Sequence, residues 1–147
     1  MEYSKYKAHF FEEYFEMAKV LFPNYSRKEL KKDLEHAVSS EKHETFFAIQ
    51  KETIMGFVNV SVRSDYVEGA TSSPVGYLEA LFVKPEFRKQ GIAKYLSEIA
   101  EKWAVAQGCS QMGSDTWDWN KSSIEFHKKI GFKEEDILVH FIKDIRK

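Results

Sequence analysis

The stretch GYLEALFVKPEFRKQGIA, Gly76 to Ala93, decides how the rest of the chain is read. Gly76 to Val83 is apolar apart from Glu79, the pattern of a strand buried on both faces. Lys84-Pro85-Glu86-Phe87 and the turn Arg88-Lys89-Gln90-Gly91 then lead into a helix from Ile92 to Gln107. Its apolar positions Ile92, Tyr95, Leu96, Ile99, Trp103 and Val105 keep a period near 3.6, and Gly108 is a natural stop. Cys109 to Ser114 reads as the next strand. A strand–helix–strand unit implies a parallel pair joined by a right-handed crossover.

Toward the N-terminus, Tyr6 to Phe22 is an amphipathic helix with Phe10, Tyr14, Phe15, Ala18, Leu21 and Phe22 at three- and four-residue steps, ended by Pro23-Asn24. Ser26-Arg27-Lys28-Glu29 is a capping box that starts a second helix with the stripe Leu30, Leu34, Val38. Thr45 to Ile49 and Ile54 to Val62 form a hairpin around Lys51-Glu52-Thr53, and Arg63 to Val75 is a long polar loop. Beyond the central unit, Lys121 to Ile130 is a short helix ended by Gly131, and Phe132 to Asp144 supplies one or two closing strands. The class is α/β (α+β), a mixed, mostly antiparallel sheet with a central parallel pair and helices on both faces.

The chain has 147 residues, 22 Lys+Arg against 23 Asp+Glu, and a net charge of −1. This length, without repeat or linker, predicts a single domain, 1–147. Near-neutral charge argues against a broadly basic nucleic-acid binder. A lone cysteine, Cys109, excludes an intrachain disulfide and a cysteine metal cluster; inside an apolar strand pattern it reads as structural. The five histidines form no ligand spacing, so no metal is expected. No apolar run reaches membrane-spanning length, and Met1 to Tyr6 does not open a signal peptide, which predicts a cytoplasmic protein without a membrane partner. Aromatic residues make up 15% of the chain, enough to furnish both a core and the walls of a cleft.

At the start of the Ile92 helix, backbone N–H groups lack intrahelical partners and sit at the positive end of the helix dipole. Gly91 opens that backbone to an anion, and Arg88 and Lys89 add charge, so the turn is either a pyrophosphate seat or a solvated turn whose glycine serves the backbone. It is neither a P-loop nor a Rossmann fingerprint. Arg88-Lys89-Gln90-Gly91-Ile92-Ala93 resembles the Arg/Gln-x-x-Gly-x-Gly/Ala signature of the GNAT N-acetyltransferases. Asn120, Ser123, His127 and Ile130-Gly131-Phe132 resemble that family's second motif, which borders the pantetheine arm of the coenzyme. The resemblance implies acetyl-CoA as co-substrate, bound by Arg88, Lys89, Gln90, Gly91, Ile92, Ala93, Asn120, His127 and the backbone of Leu81, Phe82 and Val83.

A closer resemblance covers roughly Phe57 to Asp144, with an echo at Leu21-Phe22-Pro23. Ser64-Asp65-Tyr66-Val67-Glu68-Gly69, Ser72-Ser73-Pro74, Tyr77-Leu78-Glu79, Gly108-Cys109, Ser114-Asp115-Thr116 and His127 before Gly131-Phe132 look like the aminoglycoside 6′-N-acetyltransferases. That subfamily implies a homodimer, and acetyl transfer to the 6′-amino group of an aminoglycoside or, on a wider reading, to another cationic amine. Phe22, Asp65, Tyr66, Glu68, Glu79, Asp115 and Asp136 are the candidate substrate contacts. Two departures stand out: Phe22 replaces a Trp, and Trp117-Asp118-Trp119-Asn120 displaces an acid by one residue while bringing two rings to the rim.

The chemistry fits acids of this kind. An amine of pKa near ~10.4 is neutral about once in a thousand at pH 7, so a carboxylate is wanted to bind the ammonium and take its proton. Glu79, costly in an apolar strand unless paired or used, and Asp115, at a strand end where capping the following turn is the alternative, are the two candidates for the base. Backbone amides after Glu79 would polarise the thioester carbonyl. His127, where the wider superfamily has Tyr, is the candidate proton donor to the thiolate, with packing of its short helix as the alternative. Two other readings stand beside the antibiotic one: an acetyltransferase of polyamines or protein amines, and a coenzyme sensor without catalysis.

Overall fold

Strand pairing runs in chain order through the computed structural model, which describes residues 1–146: one five-stranded sheet, β1 to β5. The strands are β1 Glu2–Lys5, β2 His43–Gln50, β3 Thr53–Arg63, β4 Val75–Val83 and β5 Met112–Ser114. The helices are α1 Phe11–Leu21, preceded by a 3-10 turn at Ala8–Phe10, α2 Arg27–Ser39, α3 Ile92–Ala106 and α4 Lys121–Lys129. All neighbouring strands are antiparallel except β4 and β5, which α3 connects in parallel. The sequence does not announce β1, a short exposed edge strand without an apolar alternation. Among the described residues, 1–115 form one compact unit and 116–146 a second.

In the first unit the sheet is covered on both faces. On one, α1 and α2 pack Tyr14, Phe15, Leu30 and Leu34 against Phe47, Phe57 and Phe82. Tyr14 is fully buried, edge-on to Phe47 and Phe57 with ring centroids 5.4 and 5.0 Å away. Its hydroxyl donates to Asn59 Oδ1 at 3.0 Å, so the ring's polar end is satisfied inside the core. On the other face α3 lays Ile92, Leu96, Ile99 and Ala100 against Phe46, Val58, Val60 and Leu78. The capping box holds: the Glu29 N–H donates to Ser26 Oγ at 3.1 Å. Lys51 and Glu52 both take positive φ, 49° and 66°, the twist-matched geometry of a two-residue hairpin. Cys109 is buried, and burial pushes its thiol up.

One irregularity positions the site. In the β3–β4 ladder Asn59 stands opposite Ala80 but Val60 opposite Leu78, so Glu79 is an extra, bulged residue. The bulge reverses the alternation of β4. Ala80 and Phe82 face α1 beyond it, and Tyr77, opposite Ser61, faces the same side before it.

In the second unit, Asn120 Oδ1 accepts from the Ser123 N–H at 3.2 Å and caps α4. The strands expected over Phe132 to Asp144 do not form. Residues 132–146 carry no regular element, and Ile137, Leu138, Val139, Phe141 and Ile142 are exposed. Apolar alternation suits a strand, but a strand's backbone groups need a neighbouring strand, and no such ladder forms in the described chain. With no strand beyond β5 among the described residues, the parallel pair stands at the sheet's end rather than at its centre.

Candidate active site

Ser61, Arg63 and Tyr77 share the sheet face to which the bulge adds Glu79. Glu79 is half-buried, and three donors hold its carboxylate. Ser61 Oγ donates to Oε2 at 2.5 Å, Arg63 Nε to Oε2 at 2.9 Å and Arg63 Nη2 to Oε1 at 2.7 Å. The same guanidinium lies over the Tyr77 ring, its Cζ 3.4 Å from the centroid. The Tyr77 hydroxyl donates to Asp115 Oδ2 at 2.5 Å, just past the end of β5. The two acids are thus joined through Arg63 and Tyr77.

Electrostatics follow this geometry. Burial opposes the charge of Arg63, but the hydrogen bonds and charge of Glu79 outweigh it, and the guanidinium sits above its ordinary value. Tyr77 is pushed well up, first by burial, then by its bond to Asp115 and that carboxylate's charge. Its hydroxyl therefore stays protonated and acts as a donor. His43, opposite Ser61 in the ladder, is lowered by burial against the opposing pull of Glu79. Asp115 itself is exposed to solvent.

β5 pairs with β4 only from Gly76 to Leu78, so beyond Leu78 that edge of β4 is open. The Lys84 N–H donates to the Met55 carbonyl at 2.9 Å, toward β3. By the alternation of an antiparallel ladder, the backbone groups of Val83 and Leu81 point the other way, into the open edge. Arg88 Nε confirms the direction for Val83, donating to its carbonyl at 2.8 Å. Of the three expected backbone contacts, Leu81 and Val83 thus face the opening. Phe82 turns its amide toward β3 and buries its ring in the core.

Gly91 caps the N-terminus of α3 with φ of 80°, a left-handed conformation that glycine adopts freely. A Cβ there would meet nothing within 4 Å, so the approach to the amides of Ile92, Ala93 and Lys94 is open. Arg88, Lys89 and Gln90 are exposed around it, whereas the Ile92 side chain is buried and anchors the helix. Free amides, a positive helix end and two cations fit the pyrophosphate of a coenzyme A.

Asp65, Tyr66 and Glu68 lie on the loop before β4, exposed, with the Tyr66 hydroxyl 3.4 Å from Glu68 Oε2. That loop is anchored by buried Val67 and by Gln111 Oε1, which accepts from the Thr71 N–H at 2.8 Å and Ser72 Oγ at 2.6 Å. Phe22 is half-buried and stacks on Tyr25 with ring centroids 5.7 Å apart. In the second unit, Trp117 and Trp119 are exposed with ring planes 10° from parallel. Asp136 is exposed and accepts from the Ile137 N–H. His127 Nδ1 is 2.7 Å from the Ser123 carbonyl, so that nitrogen carries the proton, and the ring donates from Nε2 only as an imidazolium.

Sequence reading missed Ser61, Arg63 and Tyr77. The signal was present, since Asn59, Ser61 and Arg63 stand two apart at the polar end of a largely apolar strand. Their partner, however, is set by a bulge that local pattern does not reveal.

A model of the acetyltransferase (GNAT) family matches residues 8–132. Aminoglycoside N(6')-acetyltransferase type 1 of Salmonella typhimurium is 35% identical over 127 residues, covering 86% of this chain and 88% of the relative. Its counterpart from Serratia marcescens is 33% identical over 126 residues, 85% and 86% of the two chains. Among solved structures, aminoglycoside N-acetyltransferase AAC(6')-Iy in complex with CoA superposes with a TM-score of 0.90 at 32% identity, covering 97% of this chain and 93% of that one. Aminoglycoside 6'-N-acetyltransferase AAC(6')-IG from Acinetobacter haemolyticus gives 0.93 at 27% identity, covering 99% and 100%. With a matching sheet, an open strand edge and an anion-ready helix end, the chain belongs to the acetyltransferase (GNAT) family, among relatives named aminoglycoside N(6')-acetyltransferases.

Proposed function

We propose that the protein transfers the acetyl group of acetyl-CoA to the 6′-amino nitrogen of an aminoglycoside, which confers resistance to that antibiotic. One observation carries the substrate class: a solvent-exposed carboxylate, Asp115, held by a buried tyrosine and linked to a second acid on the sheet that also opens its backbone at Leu81 and Val83. The names of the relatives, and a structure of AAC(6')-Iy in complex with a bisubstrate analogue, CoA-S-monomethyl-acetylneamine, support the same substrate. The family match runs from residue 8 to 132 across both compact units, which supports a single domain over 1–147. Asp65, Tyr66, Glu68, Phe22 and Asp136 are the further candidate contacts to the polycation.

Acetyl-CoA supplies an activated thioester. The α3 amides with Arg88 and Lys89 hold its pyrophosphate, Asn120 borders its pantetheine arm, and the N–H groups of Leu81 and Val83 polarise its carbonyl. An acid of the Glu79–Asp115 pair binds the ammonium and takes its proton. The nitrogen then forms the new N–C bond as the C–S bond breaks, and its second proton leaves to solvent as the neutral amide forms. His127, as imidazolium, is assigned to return a proton to the thiolate. Action in the cytoplasm fits this co-substrate, and no described helix is long and apolar enough to cross a membrane.

Release of free CoA, measured side by side with kanamycin, spermidine and a lysine peptide, tests the reading. Turnover with kanamycin is expected, with the product acetylated at N6′. Turnover with spermidine alone, or undiminished acetylation of a 6′-hydroxyl aminoglycoside, overturns it.

We also propose a homodimer. Ile137, Leu138, Val139, Phe141, Ile142 and Ile145 are all more than half exposed, an apolar run that a second copy would cover. Light scattering is expected to give twice the 17.2 kDa chain mass, and Phe141→Asp with Ile142→Asp to give a monomer. A wild-type monomer at micromolar concentration overturns the assignment.

A further inference from the structure

Two carboxylates are candidates for one proton transfer, and their surroundings differ. Glu79 accepts three bonds, two from a forked guanidinium and one from a serine hydroxyl, so three of its about four lone-pair sites are taken and any further proton would have to join it beside a cation. Asp115 accepts one bond on Oδ2, from Tyr77, and faces solvent. Arg63 touches both arms, since it neutralises Glu79 and lies against the ring that carries the Asp115 donor.

We infer that Arg63 is a positioning residue that divides the roles of the acids: it retires Glu79 into an ion pair and, through Tyr77, aims Asp115 as the proton acceptor for the amine. The inference rests on the aminoglycoside reading. Arg63 touches no reacting atom on this account. Its pair with Glu79 leaves Asp115 as the acid with uncompensated charge facing the ammonium.

Charge sets the direction of each variant. Glu79→Gln leaves an unpaired cation beside the site, so kanamycin binding weakens about tenfold, while kcat falls by less than about threefold. Arg63→Met frees Glu79, so binding tightens about threefold, while kcat falls about tenfold because the Tyr77 ring loses its stacking partner. Arg63→Lys restores the affinity but not all of kcat, since an ammonium has no fork. In the double variant Arg63→Met, Glu79→Gln the unpaired charge is gone, and affinity recovers to within about threefold of wild type.

The experiment is calorimetric binding of kanamycin to the full-length protein, together with kcat and KM, on wild type and these four variants, each checked for cooperative unfolding. The opposite shifts in affinity and their cancellation in the double variant are the expected result; a merely structural role for Arg63 would not produce them. A loss of about a hundredfold in kcat for Glu79→Gln, retained in the double variant, identifies Glu79 as the base and overturns the inference. Unchanged affinity in both single variants also overturns it. A wild type that neither binds nor turns over kanamycin overturns the substrate reading and this inference with it, which separates the two failures.

Discussion

Asp115→Asn lowers kcat/KM for kanamycin by about a hundredfold or more, the range set by losing a general base. Asparagine keeps the shape and can still accept from the Tyr77 hydroxyl, so neither the 2.5 Å contact nor the fold need be lost. What disappears is the charge that attracts the ammonium and the oxygen that takes its proton. Two losses with different signatures are therefore expected. KM for the cationic substrate rises modestly, because the position is exposed and screened. The fall in kcat is the larger, because a neutral amide takes up no proton at neutral pH. KM for acetyl-CoA stays near wild type, since that co-substrate is assigned to the open edge of β4 and the end of α3. Tyr77→Phe gives a smaller fall, because Asp115 keeps its charge and loses only its orientation. Steady-state kinetics with each substrate varied separately checks the pattern. Wild-type kcat in Asp115→Asn removes Asp115 from the proton transfer.

The legible parts of the fold were those determined locally. Ser26 and Glu29 announced α2 because a capping box is satisfied within four residues, and the α3 stripe and Gly91 announced a helix with an open start. Glu79 stood out because an acid in an apolar strand demands a reason. The rest depended on register. A single bulge decides whether Tyr77 shares a face with Arg63, and no pattern of period two reveals an inserted residue. Arg63 therefore read as the first residue of a loop, although it ends β3 and meets an acid across the sheet. The segment after Gly131 misled in the opposite way. Ile137 to Ile142 carries a strand's composition, but composition supplies no neighbouring backbone.

Gly91→Asp and Gly91→Ala separate backbone strain from charge at the end of α3, and the first raises the Kd for CoA about thirtyfold or more above wild type. Both substitutions place a Cβ on a residue with φ of 80°, at a cost of about 1–2 kcal/mol in folding stability. Neither meets a steric obstacle, since nothing lies within 4 Å of that Cβ. Alanine therefore destabilises the fold modestly and weakens CoA by only a few-fold, because it adds no charge and blocks no approach to the amides. Aspartate adds a negative charge at the positive end of a helix. For the fold that is favourable, because a carboxylate at a helix N-terminus gains about 0.3–1 kcal/mol, and aspartate tolerates the left-handed conformation better than alanine does. For the coenzyme it is unfavourable, because the carboxylate occupies and repels the place meant for the pyrophosphate. Gly91→Asp should thus be more stable than Gly91→Ala in urea unfolding and yet bind CoA more weakly by calorimetry, with the difference shrinking as salt rises. Strain alone would move stability and affinity together. If the two variants bind CoA equally, the helix end is not the anion seat, and the exposed cations Arg88 and Lys89 lose their assigned partner.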